Sequence, residues 1–128
     1  MKIIFILLAM IFCHILDDFF LQGMCLTNLK VKGWWTKNAP DENYKYDYIP
    51  ALLVHAFSWT FMMMLPCAIY LKFDMGWLLI MYPINFVIHA IVDDLKANKR
   101  KINLIQDQCI HFAQIIATFG LFCLYVLV

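Results

Sequence analysis

His89 and Asp93 stand four residues apart near the end of a long apolar run, with Asn85 four residues before and Lys96 three after. On a helix such positions lie one turn apart on one face, so an imidazole and a carboxylate there can close on a single metal ion. His14 and Asp18 repeat the spacing in the first apolar run, and Asp107 and His111 repeat it reversed in the last. His55, the remaining histidine, lies early in the second run. Carboxylates in such segments are costly unless paired, protonated or bound to a cation, which makes them candidates for a functional site.

Histidine with aspartate is a hard-to-borderline ligand set, suited to zinc, manganese or iron and poor for copper(I). Seven candidate metal ligands, His14, Asp18, His55, His89, Asp93, Asp107 and His111, exceed the four of a tetrahedral zinc. The expectation is therefore a divalent metal, zinc first, present as two or more ions or as one ion with a rich surrounding shell. Two ions about 3.5–4 Å apart can clamp the oxygens of a phosphoryl group in transfer. Asp17, beside the first pair, is a candidate bridging ligand or general base. Lys96, on the stripe of His89 and Asp93, and Arg100 nearby are candidates to hold a phosphate. Asp94 is rotated about 100° from Asp93 and is expected at the interface. Gln22, Asn85, Gln108 and Gln114 are candidates to hydrogen-bond the ligands.

The elements that must position these groups follow from composition. The chain is 64% hydrophobic and 16% aromatic, with a mean hydropathy of +0.74, far more apolar than a small soluble domain at about 45–50%. This predicts an all-α, polytopic membrane protein: a single domain over residues 1–128, in which four transmembrane helices form an antiparallel bundle in the lipid bilayer. The spans are expected at about 3–26, 50–72, 77–96 and 107–128, each long enough for a hydrocarbon core of roughly 30 Å. The first run is too long for a signal-peptide core and carries His14, Asp17, Asp18 and Gln22, so it reads as a retained helix. Residues 27–49 break the hydropathy with lysines, acids, Gly33 and Pro40, and carry Trp34, Trp35, Tyr44, Tyr46 and Tyr48. That composition predicts an interfacial loop. Pro50 suits the first turn of the second helix, whereas Pro66 and Pro83 should kink their helices or free a carbonyl. A net charge of +1 gives no basic surface for nucleic acid. The five cysteines, odd in number and without a Cys-x-x-Cys pair, read as buried thiols. The small chain suggests a homo-oligomer, although no Gly-x-x-x-Gly face marks a contact.

Four alternating spans bring the ends of the first and third helices to the same membrane face as the starts of the second and fourth. All the polar groups fall at that face. Lys30, Lys32, Lys37, Lys45, Lys96, Lys99, Arg100 and Lys101 flank it, against Lys2 and Lys72 at the other. The positive-inside rule then predicts a cytoplasmic site with both termini outside.

The ordered motifs His-x-x-x-Asp-Phe-x-Leu-Gln (His14 to Gln22), a lone His55, His-x-x-x-Asp-x-x-Lys (His89 to Lys96) and Asp-Gln-x-x-His (Asp107 to His111) span all four helices. In this order they resemble a family of uncharacterised small integral-membrane proteins of bacteria and their phages. More loosely, they resemble predicted membrane-bound metal-dependent hydrolases and, through these, the zinc-dependent phospholipase C and nuclease group. The resemblance implies a helical His/Asp metal cluster and hydrolysis of a phosphoester, with a phospholipid or other phosphorylated molecule as substrate. Other function classes compete. A divalent-metal or proton transporter would also place acids and histidines in spans, but the half opposite the site offers almost no polar residues. Haem ligation needs histidines but no aspartates. A phage-type membrane protein could use an ion only to hold its bundle together.

Overall fold

The computed structural model describes residues 2–127; Met1, Val128 and the Lys2 side chain lie outside it, and with them the Lys2 charge and the last residue of the fourth run. Its elements are α1 (Lys2–Leu16), a π-helical turn (Asp17–Leu21), α2 (Gly23–Leu29), α3 (Lys32–Asn38), a 3-10 turn (Glu42–Tyr44), α4 (Tyr48–Tyr70), α5 (Met75–Ala97) and α6 (Leu104–Leu127). The described residues contain no strand. Four segments are long and apolar enough to cross a membrane: Ile3–Leu21, Glu42–Tyr70, Met75–Ala97 and Leu104–Leu127. The protein is thus an all-helical membrane protein, α4 packing along α5 and α1 while α6 closes against α5 and α1.

The first span differs from the unbroken helix expected over 3–26. A π turn follows Leu16, closed by Gln22 N donating to Asp17 O at 2.9 Å. The chain then breaks at Gly23, whose φ of +59° lies in the left-handed region that glycine occupies at no cost. Beyond the break, α2 and α3 form a strap across the site end of the bundle, where a loop was expected. Trp35 Nε1 donates to Leu29 O at 2.7 Å and so satisfies a carbonyl left open at the end of α2.

Local chemistry sets the other boundaries. Pro50 does fall in the first turn of α4, which begins two residues earlier, at Tyr48. Both α4 and α5 run continuously through Pro66 and Pro83. The last span starts at Leu104 rather than Asp107 because Asn103 and Gln106 form a capping box. Asn103 Oδ1 accepts from Gln106 N at 2.9 Å, and Gln106 Oε1 accepts from Asn103 N at 3.0 Å. This start puts Asp107 in the first helical turn.

Outward faces carry large apolar side chains, among them Phe5, Phe12, Leu79, Ile116 and Leu124, as a lipid-facing surface requires. Inward, the half of the bundle away from the polar groups is packed with Met10, Met63, Cys67, Trp77, Ile115 and Phe122. Lipid tails are as apolar as this core, so close packing holds these helices together and water exclusion contributes little. Methionine's flexible thioether fills the irregular gaps between them. All five cysteines are free thiols, two of them exposed.

At the end opposite the polar groups, Asp74 ties two helices. Its Oδ1 accepts from Gly76 N at 3.1 Å, capping α5, and its Oδ2 accepts from the Tyr125 hydroxyl of α6 at 3.0 Å. The Gly76 amide first, and the Tyr125 hydroxyl second, hold the Asp74 carboxyl below its usual range. A depressed carboxylate stabilises the fold above its unfolded value and loses that contribution as pH falls through the folded value. Asp74→Asn should therefore lower Tm at neutral pH, and the gap to wild type should close below about pH 4, as read by thermal scans in detergent.

Candidate metal centre

The four histidines and Asp17, Asp93 and Asp107 are buried, and Asp18 is nearly so. They come from the ends of the first and third spans and the starts of the second and fourth, and they meet at one end of the bundle. The π turn matters for the first span. It turns two consecutive carboxylates onto the two nitrogens of one ring: Asp17 Oδ2 lies 3.7 Å from His55 Nδ1 and Asp18 Oδ1 lies 3.4 Å from His55 Nε2. Such insertions are frequent at functional sites.

His55 Nε2 is the focus of the cluster. Around it stand His89 Nε2 at 3.3 Å, Asp18 Oδ1 at 3.4 Å and Asp93 Oδ2 at 3.6 Å. A tetrahedral zinc with bonds of about 2.0–2.1 Å separates its ligand atoms by roughly 3.3–3.4 Å, so these spacings suit one ion. Asp18, His55 and His89 offer donor atoms that all lie within 4.8 Å of one another, and this group could hold a metal ion. Around this group Asp17 Oδ2 and the Nδ1 atoms of His55 and His89 are buried without a hydrogen-bond partner, as are Asp107 Oδ1 and both ring nitrogens of His111.

The remaining residues take several places. His14 is beside this group with both nitrogens engaged. Its Nδ1 accepts from Trp59 Nε1 at 2.7 Å, and its Nε2 meets Gln108 Oε1 at 3.1 Å. Asp107 Oδ1 and His111 Nε2 lie 3.3 Å apart as a second donor pair, and His111 stacks on His89 with ring centroids 4.4 Å apart. Gln108 bridges the two halves, its Nε2 donating at 3.2 Å to both Asp18 Oδ2 and Asp107 Oδ2. Asp17, considered above as a bridging ligand or base, sits behind His55 and accepts from Ser58 Oγ at 2.5 Å. Lys96 donates to Asp107 Oδ2 at 2.6 Å, so its ammonium already holds a carboxylate. Arg100 is exposed beside Lys32 and Asn98, has a φ of 51°, and makes no ion pair among the described residues. Asp94 lies at the rim, paired with Lys99 at 2.8 Å, as the helix geometry predicts.

Of the four candidate amides, Gln108 contacts the cluster and Gln22 turns to the strap. Asn85 and Gln114 form a polar layer one turn deeper. There Gln114 Nε2 and Thr118 Oγ1 both donate to Asn85 Oδ1 at 2.9 Å.

Three participants escape the sequence reading. Trp59 is fully buried, and its indole lies parallel to His89 with centroids 4.0 Å apart while donating to His14. Its place four residues after His55 was a signal, masked because tryptophan in an apolar run reads as packing. Ser58, three residues after His55, carried the same signal. Lys30 carried none: a lysine in a charged loop reads as solvated, yet it is 4% exposed and donates to Asp93 Oδ2 at 2.6 Å.

Fold and cluster together define a polytopic helical membrane protein with a buried His/Asp group at one end of its bundle. Its sequence matches the model of the family described as "Protein of unknown function (DUF3307)" over residues 6–127, and the chain belongs to that family. No curated protein and no solved structure matches it.

Asp17 Oδ2 and His55 Nδ1 are unpaired and face each other, so a slight ring rotation joins them as the carboxylate–histidine pair that typically supports a metal ligand. Asp17→Asn should weaken Co²⁺ or Zn²⁺ binding about 10–100-fold by calorimetric titration, with helix content unchanged by circular dichroism.

Proposed function

We propose that the protein is a membrane-embedded, metal-dependent hydrolase of a phosphoester carried on a lipid. The observation that carries the reading is the charge balance around Asp18, His55 and His89. Lysine ammoniums answer Asp93 and Asp107, but among the described residues none pairs with Asp17 or Asp18, so the cluster retains two carboxylates matching the charge of one divalent ion. Zinc suits this donor set and the spacing around His55 Nε2, with manganese and iron as chemically related alternatives. The Asp107–His111 pair supplies two of the donors that a second ion would need.

A divalent ion in this group supplies Lewis-acid polarisation of a phosphoryl oxygen. The chain's own residues do the rest. Ser58 holds Asp17 behind the His55 ring, Gln108 fixes Asp18 relative to Asp107, and Trp59 walls the cluster from the apolar half. Lys96 is 29% exposed and is placed to shift from Asp107 toward a phosphate oxygen. Support for a lipid substrate comes from a groove of about 340 Å³ lined by Asp18, Phe19, Gly23, Met24, Thr27 and Asn28. It puts one candidate ligand beside strongly exposed apolar side chains and two polar ones, a lining that suits an amphiphile. The basic residues Lys32, Lys37, Lys45, Lys99 and Lys101 around this end favour a cytoplasmic site, and the resemblance to small membrane proteins of bacteria favours the inner membrane.

A metal or proton transporter is the second reading, favoured by the polar layer of Asn85, Gln114 and Thr118. Beyond that layer lies the core of Met63, Cys67 and Phe122, which has no carboxylate or imidazole to carry a hard divalent ion or a proton onward.

Detergent-purified protein should carry about one divalent ion per chain by elemental analysis. It should release phosphate or a phosphorylated headgroup from a panel of phospholipids, and Asp18→Asn should lose most of both. Stoichiometric metal with no turnover on any phosphoester, or with metal flux in liposomes, would sink the hydrolase reading.

A further inference from the structure

Asp93 Oδ2 stands at two distances at once. It is 3.6 Å from His55 Nε2, close to the ligand spacing of the group, and 2.6 Å from Lys30 Nζ. The ion pair is almost wholly dry, with side-chain exposures of 5% for Lys30 and 2% for Asp93. We infer that Lys30 keeps Asp93 out of the ligand set, so that an ion bound by Asp18, His55 and His89 retains one open coordination position. The inference rests on the metal reading above and adds to it which carboxylate does not bind, and why.

Charge supports the assignment. Asp93 is already neutralised by an ammonium, whereas Asp17 and Asp18 are not, so a divalent ion gains more from the latter two than from an oxygen it must share with a buried cation. Lys96 Nζ, 3.9 Å from Asp93 Oδ1, adds further positive charge on the same carboxylate. Coordination chemistry supplies the consequence: four protein ligands make a closed, structural zinc site, and three make one with room for substrate or water.

Lys30 is built into place. It is the C-cap residue of α2, beyond the Gly23 break that turns the chain back over the bundle. Asn98, at the end of α5, clasps the backbone on both sides of Val31. Its Oδ1 accepts from Lys32 N at 2.7 Å, and its Nδ2 donates to Lys30 O at 3.2 Å and to Asp94 Oδ1 at 2.9 Å. Gln22, with its amide oriented to satisfy both neighbours, offers its oxygen to the Lys30 ammonium and donates to Asp18 O at 3.2 Å. An ordinary neutralising lysine would not need an acceptor, a clasp and a helix end to aim it.

The test titrates Co²⁺ into metal-free, full-length protein in detergent, following heat and the visible ligand-field spectrum. Wild type and the double variant Lys30→Met/Asp93→Asn, which leaves no buried charge unpaired, should bind Co²⁺ with similar affinity and spectra, well inside the about 10–100-fold loss that removing a supporting partner brings. Lys30→Met frees Asp93 to coordinate, and should tighten binding about tenfold or more with a changed spectrum. Loss of Co²⁺ by the double variant, or no tightening by Lys30→Met while wild type binds, overturns the role of Lys30 and leaves the metal site standing. If wild type itself takes up no Co²⁺, the metal site fails and this inference with it.

Discussion

Carboxylates inside an apolar bundle must be compensated, and this constraint governs the site end of the molecule. An isolated ionised acid moved out of water costs several kcal/mol even after the protein relaxes. Asp17, Asp18, Asp93 and Asp107 are gathered within one cluster, which a fold could not sustain unless cations or hydrogen-bond donors came with them. Lys30, Lys96, Ser58 and Gln108 are those partners, each reaching a carboxylate oxygen from a different part of the chain. The strap, the capping box at Asn103 and the π turn make sense as devices that deliver these groups.

The two ends of the bundle are built on different principles. Away from the site, methionines, Cys67, Trp77 and Phe122 pack mainly through apolar contacts, with the Cys67 thiol donating to Met10 Sδ, and the ends of α5 and α6 are tied by a single aspartate. Toward the site, aromatic rings become part of the polar network. Trp59 stacks on His89, which stacks on His111, and its indole N–H fixes the acceptor nitrogen of His14. The stack is a floor under the candidate ligands, and below it Asn85, Gln114 and Thr118 hydrogen-bond one another. The chemistry proposed for the site depends on this division, since a dry, ordered floor strengthens every charge interaction above it.

The π turn and Gly23 set the accessible side of the cluster. Had the first span continued as an α-helix through Gly23, the chain would have carried Lys30 onward instead of turning it back over Asp93. The turn also contains two consecutive carboxylates, Asp17 and Asp18. With the insertion, both flank His55, and the groove beside Phe19 and Met24 opens on Asp18.

Much of this architecture was legible in the sequence. Hydropathy and length define the four spans, because a lipid environment demands long uncharged helices. The spacing of His89 with Asp93, and of its two counterparts, fixes which residues share a face, because helical periodicity is local. Alternating topology then requires all of them to meet at one end. What each residue does there was not legible. The sequence offered seven equivalent ligands, and only packing set Asp18, His55 and His89 around one point, placed His14 between Trp59 and Gln108, and gave Asp93 to Lys30. Lys30 lies 63 positions from Asp93 in the chain. No local pattern links such residues, and only the turn at Gly23 and the clasp of Asn98 bring that ammonium to its carboxylate.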